Sequence, residues 1–154
     1  MYSLSALLSN TCLISVAIAW ILAQIIKIFT GYFSENRFSL TKFFCGTGGM
    51  PSSHSATVMA LLVSSAIRYG FASFEVAIST LLAIIVMSDA TGVRYETGKQ
   101  ATVINELVKE IFSGKATDIN QNLKTLIGHT PFQVLVGGIL GGIVALVVGL
   151  VLHW

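Results

Sequence analysis

From Pro131 to Leu152 the chain carries no charged residue, and few folds can accommodate such a run. Crossing hydrocarbon takes roughly 20 apolar residues, with about 17 near the lower limit. Inside lipid a backbone must satisfy its own hydrogen bonds, which restricts it to helices or closed barrels. Three more apolar runs extend from about Leu7 to Phe29, Ser53 to Tyr69, and Phe74 to Ser88. Only 10% of the residues are charged, whereas soluble domains carry about 25%. The expected fold is an all-α integral membrane bundle of about four transmembrane helices, forming a single domain over 1–154. The first run has no basic segment before it and exceeds a signal-peptide core of about 7–15 residues, so it reads as a retained span.

The second and third runs are short for full crossing. They suit a tight helical hairpin turned at Gly70, with Arg68 and Glu75 near its tip, and re-entry from one side is the alternative. Charge sets the orientation. Lys27, Arg37, Lys42, Arg94, Lys99, Lys109, Lys115 and Lys124 fall in or beside the loops joining spans one to two and three to four. Arg68 alone falls on the other side. The positive-inside rule places those two loops in the cytoplasm and both termini outside.

Between the third and fourth spans, Ala101 to Phe112 carries Val103, Ile104, Leu107, Val108 and Ile111 at helical spacing. Asn105, Glu106, Lys109 and Glu110 fill the opposite face. This is the pattern of an amphipathic helix. It can lie on the membrane surface, cover a site, or pack on its own bundle. Span four holds Gly137, Gly138, Gly141, Gly142 and Gly149, whose small-xxx-small pairs permit close helix approach. That approach serves either self-association, the basis for expecting a homo-oligomer, or packing within one chain. Cys12 and Cys45 do not make a disulfide framework. A formal charge of +2 without a basic, aromatic-interleaved cluster gives no sign of nucleic acid. No metal-ligand cluster, nucleotide loop or Ser-His-Asp set is evident, so no cofactor or metal is expected.

The chemistry concentrates in three places. GTGGMPSSHSA, Gly46 to Ala56, precedes the second span. Its glycines let backbone approach a ligand, the helix start offers N–H groups to an anion, and His54 can exchange a proton near neutral pH. The plainer account is a serine cap, from Ser52 or Ser53, with an incidental histidine. His129 opens GHTPFQ before the fourth span. Thr130, Pro131 and Gln133 fit a capping box with proline at the first helical position, which accounts for those three but not for His129. Two histidines at helix starts on one side suit a nucleophile and a general acid. His153, near the other end of span four, reads as interfacial. Within SDATGVRYETGKQA, Ser88 to Ala101, Asp89 ends an apolar span, where a carboxylate is costly unless paired or hydrated. Arg94 can grip phosphate with its fork and Lys99 can add a point charge. The alternative is a solvated loop in which Asp89 pairs Arg94 or Lys99. Lys42 either meets phosphate or anchors the topology.

GGMPSSHSA at 48–56, DATGVR at 89–94, GKQA at 98–101 and GHTPFQV at 128–134 together resemble the type-2 phosphatidic acid phosphatase and vanadium haloperoxidase superfamily, in its small divergent bacterial and plant branch. The superfamily's Pro-Ser-Gly-His motif matches Pro51-Ser52-Ser53-His54, with Ser53 in place of glycine. Its histidine followed by an aspartate looks like His129 and Gln133 here. The resemblance implies that His129 attacks phosphorus and His54 protonates the leaving oxygen. It also implies that Lys42, Arg94, Lys99 and backbone N–H groups near Ser52 and Ser53 hold the phosphoryl oxygens. Asp89 and Gln133 would support them. A lysine followed by Arg-Pro, and a Ser-Arg pair before the last histidine, are missing. The implied function is a metal-independent phosphatase for a lipid phosphate or diphosphate, partnered by membrane lipid. A non-catalytic membrane protein that binds or moves phosphorylated lipid is the second reading, and a structural membrane protein with capped helices the third.

Overall fold

The computed structural model describes residues 4–35, 50–112 and 129–153. Lys42, Cys45 and the glycines before Met50 lie outside the described residues. Among the described residues six helices follow one another: α1 Leu4–Leu8, α2 Thr11–Glu35, α3 Ser53–Tyr69, α4 Phe74–Thr91, α5 Val93–Phe112 and α6 Pro131–Val151. The fold is an all-α membrane bundle. Among the described residues three helical stretches are long and apolar enough to cross a membrane: Thr11–Thr30, one beginning at Phe74, and Pro131–Val151.

Local chemistry sets the boundaries. Asn10 breaks the first apolar run, because its Oδ1 accepts from Cys12 N at 3.0 Å and Leu13 N at 3.3 Å. The first span therefore starts at Thr11 and not near Leu7. Ser52 and Ser73 cap α3 and α4 by accepting from Ser55 N and Val76 N. Gly70 ends α3 at φ 81, a value that glycine adopts without strain. The amphipathic segment is longer than its apolar spacing suggests. It starts at Val93 and not at Ala101, so Arg94 to Gln100 is helical and not the solvated loop offered above as the alternative.

Packing explains why α3 is the least apolar span. At 17 residues it is about 25 Å long, and it touches α2, α4 and α6 together. Its buried side chains include Ser53, Ser55, Ser64 and Ser65. A helix surrounded by protein needs little lipid-facing surface. The core is built of small residues, with Ala19 and Ala23 of α2, Ala56 and Ala60 of α3, and Val144 and Val148 of α6. Large side chains such as Ile139, Ile143, Leu146 and Leu150 face outward. Small inside and large outside is the arrangement expected where lipid, not water, surrounds the bundle.

The glycines of α6 serve this internal packing. A Cβ at Gly137 would strike the Ser52 carbonyl oxygen, and one at Gly141 the Ala56 carbonyl oxygen. Gly138 faces Met59 and Met87. Gly137, Gly138 and Gly141 are thus taken up in packing within one chain.

Four contacts fix the register. Thr30 Oγ1 donates to Met50 O at 2.8 Å, and Arg68 Nη1 donates to Thr11 Oγ1 at 3.2 Å, so α2 and α3 are antiparallel. Ser52 N donates to Gln133 O at 3.1 Å, and His129 N to Ala90 O at 3.2 Å. The end of α2, the start of α3, the end of α4 and the start of α6 therefore meet at one end of the bundle.

Candidate active site

Both motif histidines lie where those four helix ends meet. His54 is the second residue of α3 and is exposed. Side chains on a helix lean toward its N-terminus, which carries this ring outward from the bundle end. His129 stands just before the Thr130 cap of α6 and is 5% exposed. The two ring centroids are 6.2 Å apart with the planes tilted by 58°. Two rings this close can reach one phosphoryl group between or beside them.

The α6 cap orients His129. Thr130 Oγ1 accepts from Gln133 N at 3.4 Å, and Gln133 Oε1 accepts from Thr130 N at 3.2 Å. The same Oε1 lies 3.3 Å from His129 Nδ1. An oxygen that already accepts a backbone N–H can only accept again, so a hydrogen bond at this contact requires the proton on Nδ1. The lone pair then resides on Nε2. The capping box recognised in the sequence thus does two things: it starts the helix and it sets an acceptor oxygen beside His129 Nδ1.

The α3 turn is more enclosed. Ser52 is fully buried. Its Oγ accepts from Ser55 N at 3.3 Å and Ser55 Oγ at 3.0 Å, and its carbonyl accepts from Ala56 N at 3.1 Å. Ser52 N already donates to Gln133 O, so it is engaged within the bundle, and the positive dipole end of α3 lies at Ser53 and His54.

The third element is placed unevenly. Asp89, in the last turn of α4, is half-buried and precedes Ala90, whose carbonyl holds His129. Arg94 is in the first turn of α5, and its side chain lies outside the described residues. Lys99 is exposed on α5, with Nζ 2.9 Å from Glu96 Oε1 and 4.4 Å from the Tyr95 ring centroid. A phosphate would have to draw it from Glu96, which is feasible because exposed pairs are weak. Sequence reasoning missed Ser55 and Thr30 as supports of the α3 turn. Neither carries a motif signal, since the role of each depends on a partner supplied by packing. Among the described residues no group of three or more His, Cys, Asp or Glu side chains could hold a metal ion.

This combination, histidines on two membrane helix starts joined through backbone, defines a class. The model of the divergent PAP2 family matches residues 8–144, so the chain belongs to that family. It is also 41% identical over 151 residues to the uncharacterized membrane protein YuiD of Bacillus subtilis strain 168, covering 92% of this chain and 95% of that one. No solved structure matches.

Proposed function

We propose that the protein is a membrane phosphatase for a lipid-borne phosphate or diphosphate, with His129 as nucleophile and His54 as general acid. The 6.2 Å separation of the two rings carries the reading. His129 Nε2 attacks phosphorus, the P–O bond to the lipid breaks, and His54 gives its proton to the departing oxygen. Water then attacks the phosphohistidine, with His54 taking the water's proton, which releases phosphate and restores both rings. The α3 helix start, with Arg94 and Lys99 as the cations that would reach in, stabilises the oxygens that gain charge. No step needs a metal.

The test is phosphate release from a panel of lipid mono- and diphosphates by purified protein. His129→Ala should abolish turnover, because no nucleophile remains. His54→Ala should slow it roughly 10²–10⁴-fold, the usual worth of proton transfer. Vanadate, which imitates the five-coordinate phosphoryl group, should inhibit. Release unaffected by His129→Ala would overturn the assignment.

A second reading is binding or movement of phosphorylated lipid without hydrolysis. Gln133 favours it, because an amide orients His129 but supplies no negative charge to steady an imidazolium. Binding without release across the whole panel would select this reading.

A further inference from the structure

Helix α5 carries an apolar strip that has no part in the histidine site. The helical stretch that begins at Phe74 runs 35 residues, to Val108. That is about 52 Å of helix, against a hydrocarbon thickness of about 30 Å. The 18 residues of α4 use about 27 Å of it. One residue, Gly92, separates the two helices, so α5 begins where the crossing is complete. It packs chiefly against α4.

The side chains of α5 divide three ways. Gly98 is buried, and Ala101, Asn105 and Val108 are half-buried, which makes theirs the side against the protein. Lys99, Thr102 and Glu106 are polar and exposed. Val103, Ile104, Leu107 and Ile111 are apolar, yet between 44% and 73% exposed. At about 3.6 residues per turn these three sides lie about 120° apart. A helix at the rim of a membrane bundle meets protein, water and lipid in the same way. Glu96, Thr97 and Gln100 put polar groups in the apolar direction over the first two turns, so the strip proper starts at Val103.

The size and charge of the strip select its occupant. From Val103 to Ile111 it is about 12 Å long. A stable protein partner buries about 800 Å² per side, far more than such a strip offers. Arg94, Lys99 and Lys109 balance Glu96, Glu106 and Glu110 along the helix, which gives a charged partner nothing to read. Hydrocarbon needs neither a large area nor a charge, and it surrounds the end of α4, where Ile84 and Ile85 face outward. We propose that the second half of α5 lies in the membrane surface. Val103, Ile104, Leu107 and Ile111 enter the acyl boundary to a depth of about 5–10 Å, while Lys99, Thr102 and Glu106 stay in water. The hold is hydrophobic, so zwitterionic lipid suffices. None of this rests on the phosphatase reading.

The experiment uses the full chain with Cys12→Ser and Cys45→Ser in phosphatidylcholine nanodiscs. Spin labels are attached singly at Ile104→Cys, Leu107→Cys, Ile111→Cys, Thr102→Cys and Glu106→Cys. Their collisions with oxygen, which concentrates in hydrocarbon, are compared with those of a water-soluble nickel chelate. Labels at 104, 107 and 111 should favour oxygen, and labels at 102 and 106 should favour nickel. Adding Leu107→Asp should reverse the preference at Ile111→Cys, because a charge in the acyl boundary is expensive. Nanodiscs of equal parts phosphatidylcholine and phosphatidylglycerol should give the same depths. Nickel reaching all five labels alike would put α5 in water and overturn the proposal. Exclusion of both reagents from 104, 107 and 111 would also overturn it, by showing protein over the strip, from a second copy or from this chain. Immersion only with phosphatidylglycerol would replace the hydrophobic hold by attraction to anionic lipid, and an unchanged Ile111→Cys label in Leu107→Asp would count against immersion itself.

Discussion

At the scale of single residues, Gln133 decides most. Its Oε1 serves the Thr130 backbone and His129 together, so a change there tests capping and chemistry at once. Gln133→Asp keeps an acceptor in the first turn, where a carboxylate also suits the helix dipole. A negative charge beside the imidazole favours its protonated form and raises its pKa. The neutral nucleophile then forms at higher pH. The acid limb of kcat/KM should shift to higher pH, with the plateau rate preserved or raised. Gln133→Leu removes both hydrogen bonds and should lower turnover by up to about 10²-fold through misplacement of the ring. A pH profile unmoved by Gln133→Asp would show that the amide only caps the helix. The site was partly legible at this scale, and the limits have physical causes. His54 and His129 stand out because capping explains their neighbours and not them. The occupation of Ser52 N by Gln133 O was not legible, because one backbone donor's partner lies a whole bundle away in sequence.

Among elements, the α3–α6 contact holds the two histidine-bearing helix starts together. Gly137 and Gly141 admit backbone carbonyls of the neighbouring helix turn where any side chain would collide. Their spacing was visible as small-xxx-small pairs, but the sequence could not say which helix fills the groove. Gly141→Ala should lower stability by about 1–3 kcal/mol, the usual cost of overpacking, and should reduce activity by moving His54 from His129. Gly142→Ala is the control. Its added Cβ would meet only Val63 Cγ2, at 3.9 Å, and should be nearly neutral. Thermal unfolding in detergent with a parallel activity assay distinguishes the two. Equal melting temperatures would mean that α6 slides to relieve the clash. Helix boundaries were legible where a cap is spelled out in sequence, as at Ser52, Ser73 and Thr130. They were less so at Asn10, which interrupts an otherwise continuous apolar run, and at Val93, where polar residues disguise a helix start.

For the whole molecule, the remaining question is which face of the membrane the histidines serve. The structure gathers the ends of α2 and α4 with the starts of α3 and α6 at one end of the bundle, and sets Arg68 and the Gly70 turn at the other. In the sequence, eight of the nine basic residues fall in or beside the loops joining spans one to two and three to four, against Arg68 alone. Short loops rich in Lys and Arg stay in the cytoplasm, so the bundle should present its histidine end inward and take lipid from the inner leaflet. Single-cysteine labelling tests this directly. In a Cys12→Ser, Cys45→Ser background, Lys99→Cys lies on exposed α5 and Ala72→Cys on the exposed α3–α4 turn. An impermeant maleimide added to intact cells should label Ala72→Cys, and should reach Lys99→Cys only after permeabilisation. The reverse pattern would turn the bundle over and give the histidines the outer leaflet. It would leave their geometry intact and make the charge bias an exception to the rule.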